Sequence, residues 1–430
     1  MKLLLLLLCP AFLFSQTYPI PIRAQIDAKA AGIEQSVVQW RRHLHQNPEL
    51  SNREFKTAEF VEAHLRRLGL EVRTKVAHTG VVAVLRTGRP GTTIALRADM
   101  DALPVTEREQ LPFASKVKST FNGQEVGVMH ACGHDTHVAM LLGAAEVLVG
   151  LKDQLRGTVV FLFQPAEEGA PTGEEGGAEL MVKEGVLKDL KVEKVFGLHI
   201  KSDLEVGHLK YRPEGIMAAV NPLYIKVRGK GSHGSKPWNS VDPIAVSTQI
   251  INGLQYIVSR QMPLTEAPCV ISIGAIKSGV RSNIIPEEAE MWGTIRTLDT
   301  AMQRQILSKI RRTVTNIAES MGATVEIDIA NGYPVTYNHP ALTERMLPVL
   351  QAAAGRDKVH LTKPDTGAED FSFFAREVPG LFFWLGGMPK GGNPETAPPH
   401  HTADFFVDDS GMNLGVRVLC YLAVEGSYGD

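Results

Sequence analysis

TIALRADMD, at residues 93–101, is a short apolar run that ends in two aspartates, Asp99 and Asp101. Its apolar residues do not alternate with polar ones, which predicts a strand that is buried on both faces. Residues 158–163 and 195–199 form similar runs, and segments of helical periodicity separate the runs along the chain. This arrangement predicts an α/β fold with a mixed sheet that is covered by helices on both faces.

Reactive side chains stand at the end of each of these three runs. Asp99 and Asp101 follow the first run, Glu167 and Glu168 follow the second, and the third ends at His199. In open α/β sheets, functional sites form at the carboxyl ends of the strands. We therefore expect the three runs to bring these side chains to one edge of the sheet.

The segment 217–331 has a different order of strands and helices. Its pattern predicts β-α-β-β-α-β, with helices at residues 243–260 and 302–321. That order is typical of the ferredoxin-like unit. We expect an α+β domain at residues 217–331 to be inserted into a larger domain formed by residues 25–216 and 332–430.

The first residues of the chain differ in composition from the rest. Lys2 precedes an apolar run at residues 3–14, which is short for a membrane span of roughly 20 residues. A single positive charge, a short apolar run and then polar residues are typical of a secretory signal. We expect residues 1–24 to be a signal peptide, cleaved after Ser15 or Ala24, and the protein to be exported without stable membrane insertion. A retained N-terminal anchor is the alternative.

Composition and cysteine usage narrow the class of protein further. The 430 residues are 44% hydrophobic and 21% charged with a net charge of −2, which is typical of a globular protein and gives no sign of a nucleic-acid partner. Beyond the expected signal, the cysteines are Cys132, Cys269 and Cys420, an odd and widely spaced set that argues against a disulfide framework. Cys269 and Cys420 lie in apolar runs and are expected in the core.

Potential metal ligands occur in four separate places. HACGHDTH, at residues 130–137, combines a thiol with several imidazoles, and both groups are good ligands for zinc. Glu167 and Glu168 add carboxylates, whose mutual repulsion a cation would relieve. His199 and the pair at 400–401 add further imidazoles. A lone histidine is usually a core residue and a glutamate pair is usually solvated, but the joint pattern predicts a metal site.

Several of these stretches resemble signatures of one known family. They are RRHLHQNPEL at 41–50, RADMDALP at 97–104, HACGHDTH at 130–137, QPAEEG at 164–169, GLH at 197–199 and GAEDF at 367–371. Together they resemble peptidase family M20, in its amidohydrolase branch of hippurate hydrolases, N-acyl-amino-acid amidohydrolases and auxin-conjugate hydrolases. The resemblance covers about residues 35–410. It implies a homodimer or higher homo-oligomer, with residues 217–331 as lid and dimerisation domain and residues 25–216 and 332–430 as the metal-binding catalytic domain.

The resemblance also implies two divalent metal ions per subunit, either zinc or manganese. Their ligands would be Cys132, His134, Glu168, His199 and His401, with Cys132 as the bridging ligand. His401 is preferred to His400 because the family's last ligand precedes a hydroxyl residue, an aromatic residue and an acidic pair. That spacing fits His401 and does not fit His400.

Other positions match the family's catalytic and substrate-binding residues. Glu167 would be the general base, which takes a proton from water and passes it to the leaving amine. Asp101 would orient a metal ligand. His233 would donate to the oxyanion, often across a dimer interface in the family, and Asn283 and Arg296 would bind a substrate carboxylate. Strand-end, turn and surface roles are the plainer interpretations of these residues, and His137 is expected behind the ligands.

Some positions depart from the family pattern. After His199 the chain continues with Ile200-Lys201-Ser202, without the tryptophan and proline that are common there. Ala403 also replaces a frequent proline. These departures leave every proposed ligand in place but put the substrate in doubt.

The expected substrate is an N-acyl amino acid or a related small amide. The alternative is a dipeptidase or carboxypeptidase that acts on short peptides. A third interpretation, a non-catalytic metal-binding paralogue, is disfavoured because Glu167 and every candidate ligand are present.

Overall fold

The structure is a computed structural model that describes residues 20–428. The helices are α1 (Ile20–Gln46), α2 (Phe55–Arg67), α3 (His134–Val149), α4 (Gly177–Lys183), α5 (Val186–Asp189), α6 (Pro243–Gln261), α7 (Thr300–Ser320), α8 (Pro340–Ala354), α9 (Phe371–Glu377) and α10 (Met412–Gly426). The strands are β1 (Glu71–Val76), β2 (Gly80–Arg86), β3 (Thr93–Asp99), β4 (Lys118–Phe121), β5 (Gln124–Gly127), β6 (Thr158–Gln164), β7 (Lys194–Glu205), β8 (Leu209–Tyr211), β9 (Glu214–Met217), β10 (Ala219–Arg228), β11 (Ser232–His233), β12 (Cys269–Ser278), β13 (Ile284–Ile285), β14 (Glu288–Thr297), β15 (Thr324–Ile329), β16 (Thr336–Asn338), β17 (Val359–Leu361) and β18 (Gly380–Met388).

An eight-stranded mixed sheet forms the larger part of the molecule, as predicted. Its strand order is β1-β2-β6-β3-β7-β18-β8-β17. Strand β3 runs parallel to both β6 and β7, and β18 runs parallel to β7. The carboxyl ends of β3 and β6 and the middle of the longer β7 therefore meet at one side of the sheet.

The side chains of β3 divide between two cores because successive residues point to opposite faces of a strand. Ile94 and Leu96 pack in a cluster with helices α1, α2, α3, α8 and α10. Ala95 packs in a second cluster with helices α4, α5 and α9. Helices therefore cover both faces of the sheet, which confirms the predicted fold class.

The strand predicted at residues 195–199 is longer than expected. Strand β7 extends from Lys194 to Glu205, so His199 lies within the strand and not at its end. Pairing with β3 stops at Gly197, but pairing with β18 continues beyond His199 to Lys201, opposite Gly386. This second partner keeps β7 extended past the point where its polar residues suggested an end.

A second unit lies between the two parts of the larger one. Strands β12, β14, β10 and β15 form a four-stranded antiparallel sheet in that order, packed against α6 and α7. Helix α7 begins after Asp299, whose carboxylate accepts a hydrogen bond from the amide of Met302 at 2.7 Å. The β-α-β-β-α-β order confirms the inserted ferredoxin-like unit, whereas its exact boundaries remain a prediction.

The predicted signal at residues 1–24 lies mostly outside the described residues. Residues 20–24 form the beginning of α1, which packs Ile22 and Ile26 into the core. Within residues 20–428, no helix has both the length and the apolarity needed to cross a membrane. Cys269 and Cys420 are buried and unpaired, as predicted.

Candidate metal centre

The loop before helix α3 brings the first candidate ligands to the sheet. Gly133, whose φ of +91° suits a residue without a side chain, precedes the helix. Cys132 lies just before this turn and His134 begins the helix, and both side chains are buried. His134 Nδ1 donates to the Asp101 carbonyl oxygen at 2.9 Å, which leaves Nε2 on the side of Glu167 and Glu168.

Cys132 lies at the centre of the candidate ligands. Its Sγ is 3.3 Å from His199 Nε2, 3.3 Å from His401 Nε2 and 3.6 Å from His400 Nδ1. Glu168 Oε1 is 3.0 Å from His401 Nε2. Two groups of potential ligands therefore share the thiol: one contains His199 and His400, and the other contains Glu168 and His401.

His134 joins the same cluster through the two glutamates. Its Nε2 is 3.9 Å from Glu167 Oε2 and 4.0 Å from Glu168 Oε1. This nitrogen is buried but makes no hydrogen bond within the described part of the chain. A buried ring nitrogen without a hydrogen-bond partner is unfavourable, and a cation between His134 and the glutamates would take the place of the proton on this nitrogen.

The charge state of the cluster also favours a cation. Burial, followed by the charges of Glu369 and Glu168, raises the pKa of Glu167. Burial and the same kind of repulsion from Glu168 raise the pKa of the Cys132 thiol. Although burial opposes it, Asp99 and Asp101 raise the pKa of His134 to about 10. The cluster therefore retains protons that a divalent cation would displace, and its sulfur, nitrogen and oxygen atoms fit such an ion.

Both histidines near the C-terminus reach the cluster. His400 is partly buried, and its Nε2 accepts a hydrogen bond from the Ser202 amide at 3.2 Å. The His401 side chain is 53% exposed and has a backbone φ of +63°. Contacts with Cys132 do not separate the two, although only His401 also contacts Glu168, and the choice of His401 remains a prediction.

Two buried carboxylates hold the turn that carries the glutamates. Asp101 accepts hydrogen bonds from the amides of Glu167 and Glu168, each at 3.0 Å. Glu54 accepts from the amide of Ala166 at 2.8 Å, and Ala166 has a left-handed φ of +52°. Three consecutive amides thus point at two carboxylates, which fixes an unfavourable backbone conformation directly before the candidate base.

Behind the ligands, His137 and Arg97 organise further charges. His137 Nδ1 is 2.5 Å from Asp99, and its Nε2 accepts from the Ile200 amide at 2.9 Å. Both ring nitrogens of His137 are therefore engaged, in keeping with its expected place behind the ligands. Arg97 is fully buried and contacts Asp99, Glu369 and Asp370 at 2.7 to 2.9 Å.

A cleft of about 420 Å³ opens onto the cluster. Its lining residues are Cys132, Glu167, Glu168, His199, Lys201, Met217, Val220, Arg296, Tyr333, Asp365, Gly367, Ala368, Glu369, Trp384, His400 and His401. The larger unit supplies the candidate ligands from its loops, helix α3 and strand β7, whereas Val220 and Arg296 come from adjacent strands of the inserted unit. The cleft therefore lies between the two units and has the size of a small-molecule site.

The three candidates on the inserted unit do not come together. Arg296 lines the cleft, and its guanidinium has no ion-pair partner among residues 20–428. His233 instead ends β11 and Asn283 directly precedes its partner strand β13; both residues are exposed and lie outside the cleft lining. His233 Nδ1 accepts from the Ser235 amide at 3.0 Å.

Some residues of the site were missed from the sequence. Tyr333 donates its hydroxyl hydrogen to the Glu167 carbonyl oxygen at 2.7 Å, and Glu54 supports the adjacent residue. Lys201 and Asp365 form an ion pair of 3.1 Å within the cleft. For Lys201, the departure from the family pattern after His199 was a usable signal. The other three carry no local pattern, because their partners are distant in the chain.

Comparisons with known proteins agree with this geometry. The profile of "Peptidase family M20/M25/M40" matches residues 95–425. The "Thermostable carboxypeptidase 2" of Saccharolobus solfataricus is 44% identical over 397 residues, covering 92% of this chain and 96% of that protein. The "N-acyl-L-amino acid amidohydrolase" of Geobacillus stearothermophilus is 42% identical over 307 residues, covering 71% and 79%.

A solved structure is also similar to this chain over most of its length. The Bacillus subtilis YXEP protein, described as a dinuclear metal binding peptidase from the M20 family, is 33% identical to this chain. It superposes with a TM-score of 0.76 and covers 92% of this chain and 98% of its own. The match to the family profile covers most of the chain, and every candidate ligand lies within the matched residues 95–425. The chain belongs to peptidase family M20/M25/M40.

Proposed function

We propose that this protein is a metal-dependent amidohydrolase that cleaves the amide bond of N-acyl amino acids or related small amides. One observation carries the proposal. A buried cluster of thiol, imidazole and carboxylate groups lies in the same cleft as Glu167 and the unpaired Arg296. The cleft thus combines groups for activating water with a group for binding a carboxylate.

Two divalent ions, zinc or manganese, are proposed for the cluster. The ligands would be Cys132, His134, Glu168, His199 and His401, and the fact that two ligand groups share Cys132 supports a bridging role for the thiol. Bound there, the ions would polarise the substrate carbonyl and make water more acidic.

The remaining steps belong to residues of the chain. The Glu167 carboxylate would take a proton from the attacking water and deliver it to the nitrogen of the leaving amine. Asp101 would orient His134 and hold the amides of Glu167 and Glu168. Arg296 would bind the carboxylate of the amino acid in a two-pronged contact.

His233 and Asn283 would complete the site from the inserted unit. Because both lie outside the cleft lining, they must reach the substrate by closure of the unit or from the partner subunit of a homodimer. We propose the homodimer, in which His233 of the partner subunit would supply a hydrogen-bond donor to the developing oxyanion. Such a donor is valuable to catalysis. Export, with residues 1–24 as a signal peptide, is likewise a proposal that rests on the sequence pattern.

A carboxypeptidase acting on short peptides is the second candidate. The 44% identity to a protein named thermostable carboxypeptidase specifically favours it. Both activities require the same ligands, base and carboxylate binder, and they differ in what occupies the acyl side of the amide. A non-catalytic paralogue is disfavoured by the presence of Glu167 beside the ligands.

A substrate panel tests the proposal. Protein loaded separately with zinc and with manganese is assayed with N-acetyl and N-benzoyl amino acids and with free dipeptides, by release of the free amino acid. We expect turnover of the N-acylated compounds. Preferential turnover of peptides would favour the second candidate, and no turnover of either class would refute both.

A further inference from the structure

A charged pair that the proposed mechanism does not use lines the cleft beside the ligands. The Lys201 ammonium is 3.1 Å from Asp365 Oδ2 and 4.6 Å from the centre of the Trp384 indole ring. Lys201 follows His199 by two residues on β7, and its side chain is 23% exposed. The ammonium is therefore held within reach of a substrate that binds near His199.

The surroundings of Asp365 fix this pair. Asp365 Oδ1 accepts from the Gly367 amide at 2.8 Å, so both carboxylate oxygens are engaged. The Asp365 backbone pairs with Ile216 and Ala218, at 2.8 and 3.1 Å. Asp365 is the one acceptor of the Lys201 ammonium among residues 20–428, so N–H groups of Lys201 remain available to the cleft.

The charges of the cleft do not balance when the groups assigned to the metals and the base Glu167 are set aside. Arg296 has no acidic partner, Lys201 is paired with Asp365, and Glu369 is bound to Arg97. One positive charge therefore remains, which suits a substrate with one carboxylate. A free dipeptide carries an additional ammonium group, which would meet the ammonium of Lys201.

We propose that Lys201, oriented by Asp365 and Trp384, is a specificity-determining residue that admits a neutral acyl group and rejects a free α-ammonium group. This inference rests on the proposed function and names its substrate class. Lys201 acts in two ways. Its positive charge repels the ammonium group of a substrate, and its contact with Asp365 occupies the carboxylate that could otherwise bind that ammonium group.

Because of the second action, removing Lys201 alone and removing both charged residues should change ligand preference to different extents. Removal of Lys201 alone frees Asp365 Oδ2 beside the ligands, which creates an acceptor for an ammonium group. Removal of both charges abolishes repulsion and attraction together. A general loosening of the cleft would not distinguish the two variants.

The test compares two ligands that differ in one group. N-Propionyl-L-alanine and glycyl-L-alanine have the same carboxylate and nearly the same shape, but the second carries an ammonium where the first has a methyl group. Their dissociation constants are measured by calorimetry with metal-loaded protein in a Glu167→Gln background. Because binding is measured, the result does not depend on turnover, and failure of the proposed function is detected separately by the substrate panel.

We expect the Glu167→Gln protein to bind the propionyl compound at least tenfold more tightly than the dipeptide. Adding Lys201→Met should shift this ratio at least tenfold toward the dipeptide. Adding Asp365→Asn to that variant should reverse the part of the shift that comes from the freed carboxylate, while the part that comes from lost repulsion stays. Lys363→Met is the matched control, since this lysine is exposed and outside the cleft lining but only two residues from Asp365.

Metal content is measured for every variant so that loss of a neighbouring ligand is detected. An unchanged ratio in Lys201→Met, with metal content retained, overturns the proposal. The same shift in Lys363→Met, or a shift that Asp365→Asn does not reduce at all, also overturns it.

Discussion

The sheet edge that carries the metal ligands and the inserted unit that carries the other candidates are built differently. At the sheet edge, Cys132 and His134 are buried, and the turn before Glu168 is held by two buried carboxylates. On the inserted unit, His233 and Asn283 lie at an exposed two-stranded ribbon of β11 and β13, outside the cleft. Surrounding contacts fix one region, and the other requires movement or a partner to reach the substrate.

This difference separates two kinds of expected mutational effect. Changes at the sheet edge should alter metal binding, stability and turnover together, because the ligands and their supports share one buried network. Changes on the exposed ribbon should alter turnover and leave metal content and stability unchanged. The following experiments test this separation.

The largest effect is expected from Glu167→Gln. Loss of the base should reduce kcat/KM by roughly a thousandfold, because proton transfer by a positioned carboxylate contributes at about this level. Metal content, measured by mass spectrometry, should remain that of the wild type. Glu179→Gln is the control, since Glu179 is an exposed glutamate of α4. Turnover within tenfold of the wild type would remove Glu167 from the mechanism.

Arg97→Met tests the buried network behind the ligands. Its removal leaves Asp99, Glu369 and Asp370 without their shared cation, and breaking such a buried pair costs about 3–5 kcal/mol. Arg228→Met, on the inserted unit, removes an exposed ion pair with Glu326 and should leave the free energy of unfolding nearly unchanged. Urea unfolding measures both changes, and equal costs would contradict the contrast between the two regions.

His233→Ala tests the exposed ribbon. We expect kcat to fall about a hundredfold, as when one oxyanion donor is removed, with unchanged metal content and unfolding midpoint. His78→Ala serves as the control because His78 is also exposed but belongs to the larger unit. A loss of metal from His233→Ala would show that the ribbon supports the metal site, against our interpretation.

The smallest effect concerns pH and Glu54. Burial, reinforced by Asp101, raises the pKa of Glu54 to about 8 from an ordinary value of 4.5. Because the folded-state pKa is the higher one, this group's contribution to stability is complete below pH 4.5 and declines as the pH rises through 8. Glu54→Gln removes the titration and keeps an oxygen for the Ala166 amide.

We therefore expect the Tm of Glu54→Gln to fall less than the Tm of the wild type when the pH is raised from 7 to 9. Differential scanning calorimetry at matched metal occupancy measures the Tm at each pH. Glu59→Gln is the control, since Glu59 is an exposed glutamate of α2, the helix that begins directly after Glu54. An identical pH dependence in all three proteins would show that Glu54 does not titrate in this range.

The contrast between the regions also explains what the sequence could predict. Asp101, Glu167 and Glu168 directly follow apolar strands, and Cys132 lies in a motif, so their convergence follows from the architecture of a parallel sheet. The length of β7 was underestimated because pairing with β18, which begins at residue 380, keeps it extended beyond His199.

Other features depend on how distant segments meet. Glu54 supports Ala166 across 112 residues, and Lys201 pairs with Asp365 across 164. No local pattern encodes such contacts, because each needs the folded path of the chain between its partners. The placement of His233 and Asn283 outside the cleft also depends on the arrangement of the two units.

The most direct test is an anomalous-diffraction measurement on crystals of the metal-loaded protein. We predict two neighbouring peaks, one on each side of Cys132 Sγ. If the metal is zinc, each peak should lie about 2.3 Å from the sulfur. Glu168 and His199 should contact different peaks. Peaks at other positions, or a full complement of bound metal without contact to Cys132, would contradict the proposed centre.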